Sequence, residues 1–289
     1  MVSATQVLLS KVALRLFPDL YRRRSISWAQ KNLSAGPVFL LSFDCDTTRD
    51  AKAAIKIQTR LHAAGIRAGY AIPGELLEGH WEDYRKLLDL GGYLINHGYR
   101  EHAAIAPKTR KPYSTFTYRD VKSAVWQQDI LDGHKTIFQL TGTTPKVFRT
   151  PHFGEFNKTS QLNELYSFLA NHEYQISTST TPVFGFLNGG AYKTQQGITE
   201  LPLSGTLSKP TQLIDSWGFI SAPDAIGRDA LILEMEKYLS EFLSGNRLLL
   251  NIYFDPADIA EDNRVLDLLV RFGPFSHPGY DKYALHKPL

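Results

Sequence analysis

Two carboxylates, Asp44 and Asp46, stand one residue apart at the end of the apolar run "PVFLLSF". Mutual repulsion and lost hydration make that pairing costly at the end of a buried strand unless something positive sits there. Four further stretches hold residues able to do chemistry. They are "NHGYREH" with His97, Glu101 and His102, "FRTPHFG" with Arg149 and His152, "IDSWGF" with Asp215 and Trp217, and "YFDP" with Asp255. Two histidines and one carboxylate are a common ligand set for a divalent metal. Asp46, His97 and His102 would supply three ligands and leave one position open for water, the pattern of a catalytic site. A metal there acidifies that water and polarises a carbonyl. Asp44 is then free to act as general base.

The elements that must position these residues alternate along the chain. "GPVFLLSFD", "IRAGYAIP", "YLINH", "KVFRTP", "YQISTST", "TELPLSG" and "RLLLNIYFDP" read as strands. Between them "AAIKIQTRLHAAG", "HWEDYRKLLDLGG", "TYRDVKSAVWQQDILDGHKTIFQLTG", "SQLNELYSFLANHE", "APDAIGRDALILEMEKYLSEFLSG" and "ADIAEDNRVLDLLVRFG" read as helices, the third capped by Thr117 and stopped by Gly142. This alternation predicts an α/β fold with a parallel sheet. About seven strands suit a closed or nearly closed barrel as well as an open sheet, and in both the functional groups belong at the carboxyl ends of the strands. The candidate residues follow four of the predicted strands or lie on the segment after a fifth.

The ordered set resembles the NodB-homology polysaccharide deacetylases, carbohydrate esterase family 4. The aspartate-rich first motif is matched by Ser42, Phe43, Asp44, Cys45 and Asp46, and the histidine pair by His97 with His102. Arg-x-Pro is matched by Arg149, Thr150 and Pro151. The aspartate near a tryptophan is similar to Asp215, Ser216 and Trp217, and the late strand to "LLLNIYFDP". The resemblance implies a distorted (β/α) barrel and metal-dependent hydrolysis of an N- or O-acetyl group on a sugar. It implies Asp44 as base, with Asp46, His97 and His102 on one divalent metal. Zinc is the first expectation; nickel, cobalt, manganese and iron accept the same ligands. It further implies that Arg149 orients Asp44 through a charge-assisted pair, that Asp215 belongs to the catalytic set, and that Trp217, Pro151 and Tyr99 contact substrate.

Two departures stand out. The family's histidine pair is usually four residues apart, a spacing that from His97 lands on Glu101, so either His102 or Glu101 completes the site. The family's late histidine, a general acid, is replaced by Asp255. An aspartate donates a proton only if burial or neighbouring carboxylates raise its pKa; otherwise His152 can stand in. The same residues also have ordinary uses: the aspartates as helix or loop caps, Arg149 in a buried ion pair, Trp217 in the core. Besides acetyl hydrolysis, two readings stay open. One is a metal-independent hydrolase of small C–N amides; the other is a degenerate protein that binds a glycan or a partner.

With 289 residues, 43% hydrophobic and 21% charged, the chain is long enough for one large domain. A net charge of +3 argues against a dedicated nucleic-acid binder. The single cysteine, Cys45, excludes an internal disulfide and fits a reducing compartment. Residues 1–35 read as a basic amphipathic extension and residues 36–289 as a single deacetylase-like domain. In "TQVLLSKVALRLFPDLYRRR" the basic residues follow the apolar stretch, which argues against a secretory signal. Val7, Leu8, Val12, Leu16 and Leu20 recur at near-helical spacing. They predict either a helix packed on the body through them or an interfacial helix, residues 5–24, with Arg22, Arg23 and Arg24 near lipid headgroups. The expectation is a cytoplasmic protein acting on an acetylated saccharide, lipid-linked or free, in building a surface polysaccharide of the O-antigen or capsule type.

Overall fold

A computed structural model describes residues 3–108 and 112–283. Its main sheet contains β1 (Val38–Asp44), β2 (Gly69–Ile72), β3 (Tyr93–Asn96), β6 (Val147–Phe148), β7 (Ile176–Ser177), β8 (Tyr192–Lys193), β9 (Thr199–Glu200) and β10 (Leu249–Phe254). The order is β10-β1-β2-β3-β6-β7-β9-β8, parallel throughout except for the last pair. The seven parallel strands are the seven predicted from sequence. A separate hairpin, β4 (Ala103–Ile105) with β5 (Pro112–Ser114), stands apart from the sheet.

The sheet curls until its ends nearly meet. Beyond β9 the chain runs on to Ser204, whose N–H donates to the Asn251 carbonyl of β10 (2.8 Å). The Asn251 side chain donates to the carbonyls of Leu201 and Pro202. One buried amide thus joins the two ends, giving the distorted barrel in place of an open sheet.

Strand alternation sorts β1 into two faces. Phe39, Leu41, Phe43 and then Cys45 pack outward with Ile57, Leu61 and Tyr70 against the surrounding helices. Leu40 packs inward with Ile95, Val147, Ile176 and Leu201. Ser42 and Asp44 follow on that inner face, so the barrel interior is apolar at its base and polar at its top. The single residue between Asp44 and Asp46 therefore returns the second carboxylate to the same side as the first.

Several predicted helices begin or end differently. The long one starts at Ser123, not after Thr117. Tyr118 lies in a short 3-10 turn and its hydroxyl donates back to Asp129 (2.7 Å), which requires extended backbone at Val121 and Lys122. Gly142 ends this helix in the left-handed conformation, as predicted. The helix expected from Ala222 onward begins at Arg228, after Gly227 at φ 117°. The final helix is split into Pro256–Ile259 and Asn263–Arg271, because Asp262 accepts from Arg264 N–H and Val265 N–H as a new cap.

The N-terminal stretch forms two helices, Ala4–Leu16 and Asp19–Asn32, separated at Pro18. The first packs through Val7, Ser10 and Leu14, and the second through Tyr21 and Ala29. The predicted packing face is corrected here: Leu8, Val12, Leu16 and Leu20 are exposed. Among the described residues no helix is long and apolar enough to cross a membrane. Residues 1–2 and 284–289, the two ends of the predicted division of the chain, lie outside the described residues.

Candidate active site

Asp46, His97 and His102 converge as one group able to hold a metal, with their ligand atoms within 4.8 Å of one another. Asp46 Oδ1 lies 3.5 Å from His97 Nε2 and 3.0 Å from His102 Nε2. His97 Nδ1 is 2.9 Å from the Arg149 carbonyl oxygen. That oxygen can only accept, so Nδ1 carries the proton and Nε2 keeps its lone pair for a ligand. Burial would raise the Asp46 carboxyl, but the His102 and His97 imidazoles outweigh it and hold the group well below the usual range. A carboxylate so held, beside two buried imidazoles, fits a divalent cation in chemistry and geometry.

The five-residue histidine spacing has a local cause. Gly98 takes φ 81°, and a Cβ there would lie 2.2 Å from Asp129 Oδ2. Asp129, buried on the helix Ser123–Thr141, accepts from Arg100 N–H (2.9 Å) and Tyr118. Asn96 accepts from Gly98 N–H (3.0 Å) and donates to the Ile130 carbonyl. The loop bulges around Asp129 and returns His102 to the pocket. Glu101 points outward and is exposed, its N–H donating to Glu75. Of the two alternatives, His102 is the residue in the group.

Arg149 is fully buried inside the barrel. It donates to Asp44 Oδ1 (2.5 Å), Ser42 Oγ (2.7 Å) and the Tyr280 hydroxyl (3.2 Å). Its guanidinium lies over the rings of Phe153, Tyr253 and Tyr280. Burial opposes its charge, but Asp44 prevails and keeps the group firmly protonated. Asp44 is therefore fixed on one oxygen while Oδ2 lies 3.9 Å from His97 Nε2.

Across the cavity the "DSW" segment is pinned to the end of β10. Asp215 accepts from the Tyr253 hydroxyl (3.1 Å) and from Gly218 N–H (2.9 Å), capping a π-helical turn at Trp217–Ser221. Ser216 Oγ donates to Asp255 (3.0 Å) and accepts from the Asp255 N–H (2.7 Å). Trp217 is left 41% exposed as a wall. The cavity between them encloses about 280 Å³ and is lined by Asp44, Asp46, His152, Phe153, Trp217 and Asp255, among others. Burial, then the carboxylates of Asp46, Asp258, Asp50 and Asp44, pushes Asp255 well above the carboxylate range. Burial likewise lifts Asp50 and Asp215 to about 6.

No family model matches the chain, and no curated protein sequence matches it. Solved structures do. A polysaccharide deacetylase by name from Mycobacterium smegmatis superposes with a TM-score of 0.63 at 13% identity, covering 86% of this chain and 88% of that one. A second so named, from Pseudomonas aeruginosa PAO1, gives 0.59 at 11% identity over 82% and 83%. The Puue allantoinase gives 0.58 at 12% identity over 82% of each chain. The protein has the NodB-like deacetylase fold.

On this NodB-like frame the remaining candidates separate. His152, at φ 57°, uses Nε2 on the carbonyls of His102 and Phe116 (3.1 Å each) and faces Ser114 Oγ (3.0 Å). It ties the β4–β5 hairpin to the site while also lining the cavity. Tyr99 is not among the lining residues: its ring packs on Gly74 and its hydroxyl donates to Glu78 (3.2 Å), because the bulge turns it outward. Pro151 is buried and also does not line the cavity. Sequence reasoning passed over Asn96, Asp129, Tyr253 and Tyr280. Asp129, Tyr253 and Tyr280 lie far in sequence from the residues they support, and Asn96, two residues from Gly98, also reaches the distant Ile130.

Proposed function

We propose that the protein is a metal-dependent hydrolase that removes an acetyl group from a sugar or glycan precursor. The carrying observation is the convergence of Asp46, His97 and His102 beside an Asp44 carboxylate locked to Arg149. Support also comes from the named polysaccharide deacetylases that share the fold. Asp46, His97 and His102 would hold one divalent ion, zinc being the first candidate among zinc, nickel, cobalt, manganese and iron. Bound there, such an ion acidifies water and polarises the acetyl carbonyl.

Asp44 takes the proton from the attacking water, and Arg149 fixes its orientation. Asp255, whose carboxyl burial and the neighbouring carboxylates push above its ordinary range, hands its proton to the departing sugar nitrogen or oxygen, the task a histidine performs in the resembled family. Asp215 holds the turn that presents Trp217, whose ring packs against the acetyl methyl or the sugar ring. His152 keeps the hairpin over the cavity. The saccharide is lipid-linked or part of a surface polysaccharide precursor, and the reaction runs on the cytoplasmic side.

A second reading draws on the allantoinase with the same fold and on Asp255 in place of a histidine: hydrolysis of a small amide without a metal. The test is acetate release from a panel of N- and O-acetylated sugars by wild type, Asp44→Asn and Asp46→Ala, with and without chelator. Acetate release by the wild type alone, abolished by chelator, supports the deacetylase. Turnover of small amides that survives chelator and Asp46→Ala supports the second reading. No turnover of either class, with saccharide binding retained, leaves a binding protein.

A further inference from the structure

The helix Ala4–Leu16 is apolar on two opposite sides. At about 100° per residue, Val7, Ser10 and Leu14 share one side. They meet Val183, Phe186 and Leu187 of the neighbouring helix Pro182–Asn188. Leu8, Leu9, Val12 and Leu16 fall on the other side and are 63%, 63%, 46% and 66% exposed. Phe17 and Leu20 extend the patch at 60% and 40%. Six of the twelve large apolar side chains exposed among the described residues thus lie within residues 8–20. A surface helix ordinarily turns polar residues outward, and a contiguous apolar patch marks a contact surface.

The charge around the patch selects its occupant. Residues 3–24 contain Lys11, Arg15, Arg22, Arg23 and Arg24 against one acid, Asp19. Arg22 is engaged by Glu241. Lys11 and Arg15 flank the apolar stripe, are exposed, and form no ion pair among the described residues. A second copy seated on this face would bring the two sets of cations together. An anionic bilayer surface accepts both the leucines and the cations.

We propose that the outward face of the N-terminal helix, Leu8, Leu9, Val12, Leu16 and Phe17 with Lys11 and Arg15, docks the protein on an anionic lipid surface. No residue of the cavity takes part, so docking and hydrolysis stand or fall separately. The experiment is vesicle co-sedimentation of the full chain. Vesicles containing phosphatidylglycerol are expected to bind it at least about tenfold more tightly than pure phosphatidylcholine. Leu8→Ser with Leu16→Ser should lower that binding at least about tenfold, with an unchanged melting temperature because both side chains are exposed. Lys11→Glu with Arg15→Glu should remove the preference for anionic lipid. The proposal is overturned if wild type stays in the supernatant with both vesicles, or if neither double variant changes binding. It is equally overturned if sedimentation equilibrium finds a dimer that Leu8→Ser with Leu16→Ser dissolves.

Discussion

His97 donates its Nδ1 proton to the backbone carbonyl of Arg149 across 2.9 Å. The residue offering a ligand nitrogen is thereby oriented by the residue whose side chain grips the candidate base, Asp44 (2.5 Å). β3 and β6 are adjacent parallel strands, with Asn96 paired to Phe148, and each contributes its next residue to this link. Ligand set and base are thus parts of one buried unit.

That unit should bind about one divalent ion per chain. Elemental analysis of protein purified without added metal is expected to find it in wild type and to find none in Asp46→Ala or His97→Ala. A metal-free wild type, even after supplementation, would sink the metal-dependent mechanism.

Gly98→Ala should uncouple the histidines. The left-handed φ and the 2.2 Å approach to Asp129 leave no room for a methyl group. The loop must shift and His102 leave the group, so metal affinity should fall at least about tenfold, read by titration. Unchanged affinity would show that the bulge does not set the ligand geometry.

Arg149→Met leaves Asp44 charged and uncompensated in the barrel. Breaking a buried pair in this way costs about 3–5 kcal/mol, visible in urea unfolding. Arg149→Met combined with Asp44→Leu should recover part of that loss while remaining inactive. A single variant as stable as wild type would refute the buried-pair account.

Asp255→Asn keeps the shape of the side chain and removes its proton. Acetate release should fall about 10²–10⁴-fold with metal content unchanged. In wild type the same activity should decline as pH rises past the elevated Asp255 pKa, and in Asp255→Asn that alkaline limb should vanish. An intact limb in the variant assigns the acid elsewhere.

Asp50 and Asp215, lifted by burial from 3.8 to about 6, predict a pH-dependent stability. Between about pH 4 and 6 the folded chain holds protons that the unfolded chain has released. Their contribution is whole below pH 4 and is lost as pH rises through 6, on the order of 1–3 kcal/mol for each group. Urea midpoints of chelator-treated protein from pH 4 to 7 should therefore fall, and Asp50→Asn should flatten part of the slope. A midpoint that rises over this range would contradict both assignments.

The seven parallel strands and the residues at their carboxyl ends could be read from the chain itself. Apolar runs and their flanking turns are local, and chemistry-bearing residues interrupt them at strand ends. By the same alternation, Asp44 and Asp46 had to share a side. Other features depended on distant partners. Whether His102 or Glu101 turned inward was decided by Asp129, which shapes the loop from another helix. Whether a charged Arg149 could lie inside the barrel was decided by Ser42, Asp44 and Tyr280, from both ends of the chain. The N-terminal stripe shows the limit most plainly: periodicity marked Leu8, Val12 and Leu16 as one face, but only the helix Pro182–Asn188, packing on Val7 and Leu14, determined that this face points outward. Periodicity along a chain says which side chains lie together; which surface they meet depends on contacts between residues remote in sequence.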